Sequence, residues 1–473
     1  MPIGIPATGF RSETDSMGTM DVPADRYWGA QTQRSLRHFS IGGDLMPKAL
    51  YHAYAVLKKA AAEVNATDGL LRQDKAAAIV QAADEAASGA LDAHFPLYVW
   101  QTGSGTQSNM NLNEVLSNRA IQILGGTIGS KSPVHPNDDV NMSQSSNDTF
   151  PAAMHIATLA TIDDMLLPRL DALAGAIEDK AARWMGVVKI GRTHLQDAVP
   201  LTVGQEWSGY AHQLREAAQD IGRARLALLE LAAGGTAVGT GIGAPPGFSE
   251  KIAARIAALT SKAFITAPNK FAAQGSLDAM TRMSAALRGL AIALMKIAND
   301  MRWLASGPRC GLGELRLPDN EPGSSIMPGK VNPTQCEAIV MICIQVIGED
   351  TAVAFAGSQG NFELNAMRPV VIANVLHCIC ILADGMENFR AYSVQGTELN
   401  ETRIAAHVTQ SLMLVTGLAP AIGYDKASAI AHTAMSENLT LREAAIRSGA
   451  ISAEDFDRLA DPRTMVGAGL AGS

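Results

Sequence analysis

Aromatic side chains make up only 5% of the 473 residues, and the five cysteines (Cys310, Cys336, Cys343, Cys378, Cys380) all fall in the second half of the chain. Their spacings suit neither a zinc ribbon nor an iron–sulfur cluster, so they are expected to be buried thiols in a reducing compartment. A basic excess is also missing: 38 Lys and Arg stand against 46 Asp and Glu, a net charge of −8, with the cations scattered. A phosphate backbone needs a basic stripe, so nucleic acid is not an expected partner. No uncharged apolar run reaches the roughly 20 residues that span a bilayer, so no membrane segment is expected. The opening MPIGIPATGFRSETDSMG puts prolines and acids where a signal peptide needs continuous apolar residues. It also lacks the Arg-rich amphipathic pattern of a transit peptide, which makes the cytoplasm the expected location.

What the chain does have is 47% hydrophobic residues, enough for a large core divided over two or three domains. Ala, Leu, Met and Glu dominate, and apolar residues recur at helical spacing, so the fold is expected to be mostly α. The pattern predicts helices over Lys48–Val64, Asp74–Leu91, Ala152–Trp184, Thr202–Ala232, Leu277–Leu304, Pro333–Ala356 and Pro369–Met386. Several far exceed the ordinary mean of roughly 11 residues and call for an elongated bundle. Apolar surface left on such a bundle is commonly buried by identical copies, so an oligomer is expected, with a monomeric bundle as the alternative. Composition changes near Ser143 and near Gln395–Asn400 divide the chain into an N-terminal, mostly helical segment 1–143, a central long-helix segment 144–398 and a small helical segment 399–473.

Polar, Gly-rich stretches interrupt the helices, and they hold the candidate chemistry. GSSIMPGKVNPTQCE, Gly323–Glu337, reads as a mobile loop entering a helix. It brings the hydroxyls of Ser324 and Ser325, the charge of Lys330, the amide of Asn332 and the carboxylate of Glu337 together between permissive glycines. SQSSND, Ser143–Asp148, crowds hydroxyls and amides before Pro151 and a long helix. It is either an elaborate helix N-cap or a carboxylate site, since exposed amides at a helix start serve both ends. In GRTHLQDAVPLTVGQE, Gly191–Glu206, His194 sits among Arg192, Thr193, Gln196 and Asp197. A lone His is weak evidence, but imidazole, with a reference pKa of about 6.5, exchanges protons at neutral pH. TGSGTQSNMNLNE, Thr102–Glu114, offers hydroxyls and backbone amides at a loop-to-helix junction, so a substrate with two carboxylates is attractive. Gly234–Phe248 contains Gly239 and Gly241, but a helix precedes it and Pro245 and Pro246 follow, which is the wrong context for a dinucleotide turn.

Together these segments resemble the class II fumarases of the aspartase/fumarase superfamily, from about Arg11 to the C-terminus. GSSIMPGKVNP is similar to the superfamily signature, while HPNDDVNMSQSSNDTFP (135–151) and IGRTHLQDAVPLT (190–202) resemble fumarase versions of the other two shared regions. Aspartate ammonia-lyase is the nearest rival, but it typically has Gln where this chain has His194, and the TQCEA run at 334–338 also favours the fumarase pattern. A bundle recruited as a non-enzymatic crystallin is a further alternative, against which the intact Ser324, Lys330, Asn332 and His194 argue.

The resemblance implies a three-domain fold with a long central helix bundle. It also implies a homotetramer with a twenty-helix core, active sites shared by three subunits, no metal and no cofactor, acting on fumarate and malate. Carried over residue by residue, Ser324 is the implied base, His194 handles the proton of water, and Glu337 supports His194. Ser104, Gly105, Thr106, Ser145, Ser146, Asn147, Thr193, Ser325, Lys330, Val331 and Asn332 hold the substrate. His135, Pro136, Asn137 and Asp138 match a secondary dicarboxylate site. Two departures stand out, Gly243 where relatives usually have Asn and Asp139 where many have His, and residues 1 to about 10 are expected to be a disordered extension. Because the Cys and His spacings offer no metal constellation, malate-to-fumarate turnover is expected to survive a chelator; loss of rate restored by a divalent ion would contradict this.

Overall fold

Ala-rich apolar stripes build nearly every element in the computed structural model, which describes residues 2–467; Met1 and 468–473, the outer ends of the first and last segments, lie outside it. The fold is mostly α. Lys48–Thr67 starts behind Pro47 and buries Leu50, Tyr51, Tyr54, Leu57, Ala61 and Val64 at helical spacing, packing on Gln73–Ala87 through Ala76, Ile79, Ala83 and Ala86. The long predicted helices are present as Asp278–Leu304, Thr334–Gly357 and Arg368–Phe389. Ser146–Thr161 runs through a π-turn at Ile162–Leu166 into Leu167–Arg183 as one continuous helical stretch.

The described residues form two compact units. One comprises the chain up to Leu167 with Gln219–Gly289 and Ile344–Leu382; the other comprises Pro168–Ala218, Leu290–Cys343 and the chain from Ala383 onward. At the centre of the first unit lies an unusually polar helix, Thr106–Ile123, with Asn109, Asn111, Asn113, Glu114, Asn118 and Arg119 all buried. Each finds a partner: Tyr54 for Asn109, the His94 carbonyl for Asn111, Asn141 for Asn113, the Tyr27 carbonyl for Asn118 and Glu85 for Arg119. Glu114 accepts from the backbone N–H groups of Gly29, Gln31 and Thr32 at 2.8, 2.8 and 3.1 Å, which fastens the start of Ala30–His38 to this helix. In the second unit Trp207 is fully buried edge-on to Trp184, with ring centroids 4.8 Å apart. Leu414, Leu418, Ile430, Leu441 and Phe456 form a separate small core near the C-terminus.

Several expectations need correction. Thr202–Ala232 is not one helix: Val203–Ala224 gives way to a 3₁₀ turn at Arg225–Leu229, and Glu230–Leu231 pairs in parallel with Ile265–Thr266. Apolar spacing continues through LALLELAA, but strand pairing wins over propensity there. Gly191–Asp197 is no loop but the tip of a hairpin, Val188–Thr193 with Gln196–Thr202. Helix Ser146–Thr161 begins ahead of Pro151, which sits inside it. Residues 2–4 are tied down, with Gly4 N–H donating to Tyr27 Oη and Arg119 and Gln122 donating to the Pro2 and Gly4 carbonyls. Cys310 is exposed rather than buried, and all five cysteines are unbridged.

Thr334–Gly357 and Arg368–Val394 are long and apolar enough to cross a membrane by composition, although charged residues interrupt both. Only 28% of the most apolar window of Thr334–Gly357 is buried within the chain, against 61% for Arg368–Val394. Trp207→Ala is expected to cost about 3–5 kcal/mol, seen as a lower urea midpoint in the unit that contains it; an unchanged midpoint would show that this core does not hold the unit together.

Candidate active site

Two helix starts meet in the first unit. Gly105 precedes Thr106–Ile123 with φ +76°, and a Cβ there would lie 2.3 Å from the Phe150 ring, so only glycine lets the two segments approach. Ser104 Oγ accepts from Thr106 N–H at 3.3 Å. Ser146 Oγ donates to Thr106 Oγ1 at 2.7 Å, joining this start to that of Ser146–Thr161. The second start is a capping box: Ser145 Oγ accepts from Asn147 N–H at 3.2 Å, while Ser145 N–H donates to Asp148 Oδ1 at 2.9 Å. The N-cap reading of SQSSND therefore holds. The segment caps its helix, and it brings Ser145, Ser146 and Asn147 beside Ser104, Gly105 and Thr106 at two adjacent positive helix ends, a natural seat for a carboxylate. Asn147 spends one amide hydrogen on the Ala237 carbonyl at 2.8 Å.

Nearby in the same unit, His135 caps the turn Pro136–Val140, its Nδ1 accepting from Asn137 and Asp138 N–H at 3.2 and 3.1 Å. That bonding assigns the proton to Nε2, free to meet a carboxylate. Asp139, the departure from the family pattern, is buried and tied to Lys75 at 2.8 Å and to His135 N–H at 2.7 Å, so it stiffens the turn. The cavity at Glu13, Glu114, His135, Pro136 and Asn137 holds about 20 Å³, room for one water. A dicarboxylate at these residues would therefore lie on their open side.

The second unit carries the other groups. Val188–Thr193 and Gln196–Thr202 turn back at His194 and Leu195, whose φ angles of 56° and 60° put two non-glycine residues in the left-handed region. This costs of order 1–2 kcal/mol per residue, and it holds His194 out at an exposed tip beside Thr193. Within the chain His194 makes no hydrogen bond or ion pair to Glu337 among the described residues. Glu337 is exposed near the start of Thr334–Gly357.

The signature loop is tightly folded. Gly323 N–H donates to the Lys330 carbonyl at 2.9 Å, and a Cβ at Gly323 would lie 2.2 Å from that oxygen. Asn332 Nδ2 donates to the Gly323 carbonyl at 2.6 Å, so one of its two donors closes the loop. Ser324 Oγ accepts from the N–H groups of Met327 and Ile326 at 3.1 and 3.3 Å. Two backbone donors on one hydroxyl oxygen favour its deprotonated form. Ser325, Val331 and Lys330 are exposed, and Lys330 and Asn332 line a cavity of about 460 Å³ that Arg302 and Arg316 also face.

One supporting residue was invisible in the sequence. Glu314 is buried, and its carboxylate meets Arg192 at 2.6 Å, His407 at 2.8 Å and Lys189 at 3.2 Å. Two of these partners belong to the strand that carries His194. Burial would raise the Glu314 pKa, but the Arg192 hydrogen bond and the Lys189 charge outweigh it and hold it below the usual carboxylate value. In sequence it was one acid in a long Gly-rich loop, with nothing to mark its burial.

Comparison with known proteins gives consistent matches. Residues 18–348 match the family described as Lyase, and residues 414–467 match the family described as Fumarase C C-terminus. A class II fumarate hydratase from Methanosarcina acetivorans is 66% identical over 467 residues, covering 99% of this chain and 96% of the relative. One from Thermosynechococcus vestitus is 58% identical, covering 97% of this chain and 98% of the relative. The crystal structure of a class II fumarase from Schistosoma mansoni superposes with a TM-score of 0.95 at 43% identity, covering 97% of this chain and 99% of that one.

Glu314→Gln leaves Arg192 without its carboxylate and Lys189 with Glu206 alone, at 2.6 Å, and is expected to cost about 3 kcal/mol. Since the folded Glu314 pKa is depressed, its stabilisation is complete above the ordinary value near 4.5 and is lost as pH falls below it. Thermal melts from pH 7 to pH 3.5 should show the gap between wild type and variant closing with acid; a constant gap would mean that Glu314 acts only through packing.

Proposed function

The chain belongs to the class II fumarate hydratase family and interconverts fumarate and malate, and we propose that Ser324 and His194 move its protons while two helix starts and the signature loop hold the substrate. Malate must lose a hydrogen from the carbon beside a carboxylate, which drives a second negative charge into a group already charged. Ser324 Oγ takes that proton, the C–H electron pair becomes the new C=C bond, and the C–O bond breaks as His194 protonates the departing hydroxyl. Lys330, Asn332 and the amides of 323–330 stabilise the developing charge, each preorganised donor contributing about a hundred- to a thousand-fold. Ser104, Gly105, Thr106, Ser145, Ser146 and Asn147 hold a substrate carboxylate, and Thr193, Ser325 and Val331 complete the enclosure. Hydration of fumarate is the reverse path.

The observation that carries the assignment of the base is the pair of N–H groups on Ser324 Oγ. An unassisted serine hydroxyl is a poor base, and these donors lower the cost of its alkoxide. His194, strained and exposed at a hairpin tip without a Glu337 contact in its own chain, fits a site completed by another subunit, where Glu337 supports it.

A homotetramer with active sites shared by three subunits accounts for the apolar face of Thr334–Gly357. Met341, Ile344 and Phe355 are 64%, 59% and 70% exposed in the single chain, a surface that identical copies would cover. The division into 1–143, 144–398 and 399–473 is supported at its last boundary by the separate core from Leu414 to Ala460. Five unbridged cysteines support a cytoplasmic location. His135, Pro136, Asn137 and Asp138 serve as a secondary dicarboxylate site on the way in or out.

Ser324→Ala and His194→Asn should each lower kcat for malate dehydration by orders of magnitude, whereas His135→Asn should leave most of it and act on KM. If His135→Asn proves as damaging as Ser324→Ala, the catalytic site must be redrawn around 135–138. Light scattering should give four times the chain mass; a fully active monomer would exclude the shared site.

A further inference from the structure

Arg368 is fully buried and takes no part in the chemistry described so far. Its backbone N–H donates to the Gly103 carbonyl at 3.1 Å, its Nη1 to the Ser146 carbonyl at 3.5 Å and its Nη2 to the Gln274 carbonyl at 2.9 Å, while its Nε has no partner. It is therefore fastened to both segments that form the carboxylate seat, one through its main chain and one through its guanidinium. Two more cations lie in the same unit. Lys58 is fully buried, donating to Asn141 Oδ1 at 2.8 Å and Gln144 Oε1 at 2.9 Å. Lys270 is half-buried, donating to the Leu231 and Ala233 carbonyls at 2.6 and 2.9 Å. Every acceptor is neutral, and none of the three cations is in an ion pair among the described residues. The buried carboxylate they share is Asp148, which is occupied by Ser145 and Gly234 N–H at 2.9 and 2.7 Å.

Asp148 is one carboxylate against three cationic side chains, and burial pushes Lys58 down to about 7 and Lys270 to about 8, so keeping them charged is costly. Arg368 touches both segments with the helix starts, and Lys58 reaches Gln144 beside one of them, in the part of the molecule read as receiving an anion. We propose that Arg368, with Lys58 and Lys270 in the same unit, is a specificity residue whose charge, only partly offset by Asp148, makes the seat at 104–106 and 145–147 select a dicarboxylate dianion over the same molecule bearing one charge. The inference rests on the reading of those segments as substrate-holding.

Succinate and succinamate, which replaces one carboxylate by an amide of the same size, provide the test as inhibitors of fumarate hydration. In Arg368→Met the preference for succinate over succinamate should fall about tenfold, with KM for fumarate rising more than kcat falls, and Arg368→Lys should restore most of the preference. Equal weakening of both inhibitors, or an unmoved ratio in a folded variant, would overturn the proposal. Should Arg368→Met fail to fold, Lys270→Met decides instead. Its ammonium touches only two carbonyls outside the seat, so a severalfold loss of the preference supports the charge account and an unchanged ratio overturns it. Absence of fumarate hydration in the unsubstituted protein would instead remove the functional reading itself, independently of the ratio.

Discussion

Two helices must begin side by side, and much of the first unit serves that constraint. The amino ends of Thr106–Ile123 and Ser146–Thr161 are both electropositive and would repel each other without a bridge. The Ser146–Thr106 hydroxyl contact joins them, and the Ser145–Asp148 capping box uses up donors that would otherwise be orphaned. Behind them stands an interior that is polar to an unusual degree, with Asn109, Asn113, Asn141 and Lys58 sharing hydrogen bonds and Asp148 reaching Gly234. Most of its donors and acceptors are paired, although Asn111 Oδ1 and Asn113 Oδ1 are not, and directional bonds of this kind favour one geometry where an apolar core would tolerate several. A site that receives negative charge gains from that rigidity, because donors aimed in advance need not reorganise as charge develops.

The second unit solves a different problem. His194, proposed to move protons, projects from a rigid support, the hairpin 188–202, at the cost of two left-handed residues. Its anchorage is electrostatic, with Glu314 gathering Arg192, Lys189 and His407. The signature loop is closed by Gly323–Lys330 and Asn332–Gly323 contacts, which leave Ser324 Oγ under two backbone donors. In both units a charged or polar side chain does its work through neighbours that keep it in place.

The helices were legible in the sequence because Ala and Leu periodicity is local and strong, as at Lys48–Thr67 and Asp278–Leu304. The hairpin around His194 was not, since Gly191 and a run of polar residues read as a loop and a bulge between Ile190 and Arg192 breaks the alternation. The helix after Val203 overran its end because nothing local announces the pairing of Glu230–Leu231 with Ile265–Thr266. Candidate site residues emerged where unusual groups crowd together, as in SQSSND and GSSIMPGK. Glu314, Lys58 and Arg368 stayed hidden because one charged residue in a helix or loop looks solvated until its tertiary surroundings are known.

The reaction itself is an elimination whose leaving group is water rather than ammonia, as in the class II fumarate hydratases to which this chain belongs. Ultraviolet absorbance of fumarate, followed after mixing the purified protein with malate and in parallel with aspartate, tests this most directly. Absorbance should rise with malate and stay flat with aspartate; fumarate and ammonia released from aspartate, with none formed from malate, would contradict it.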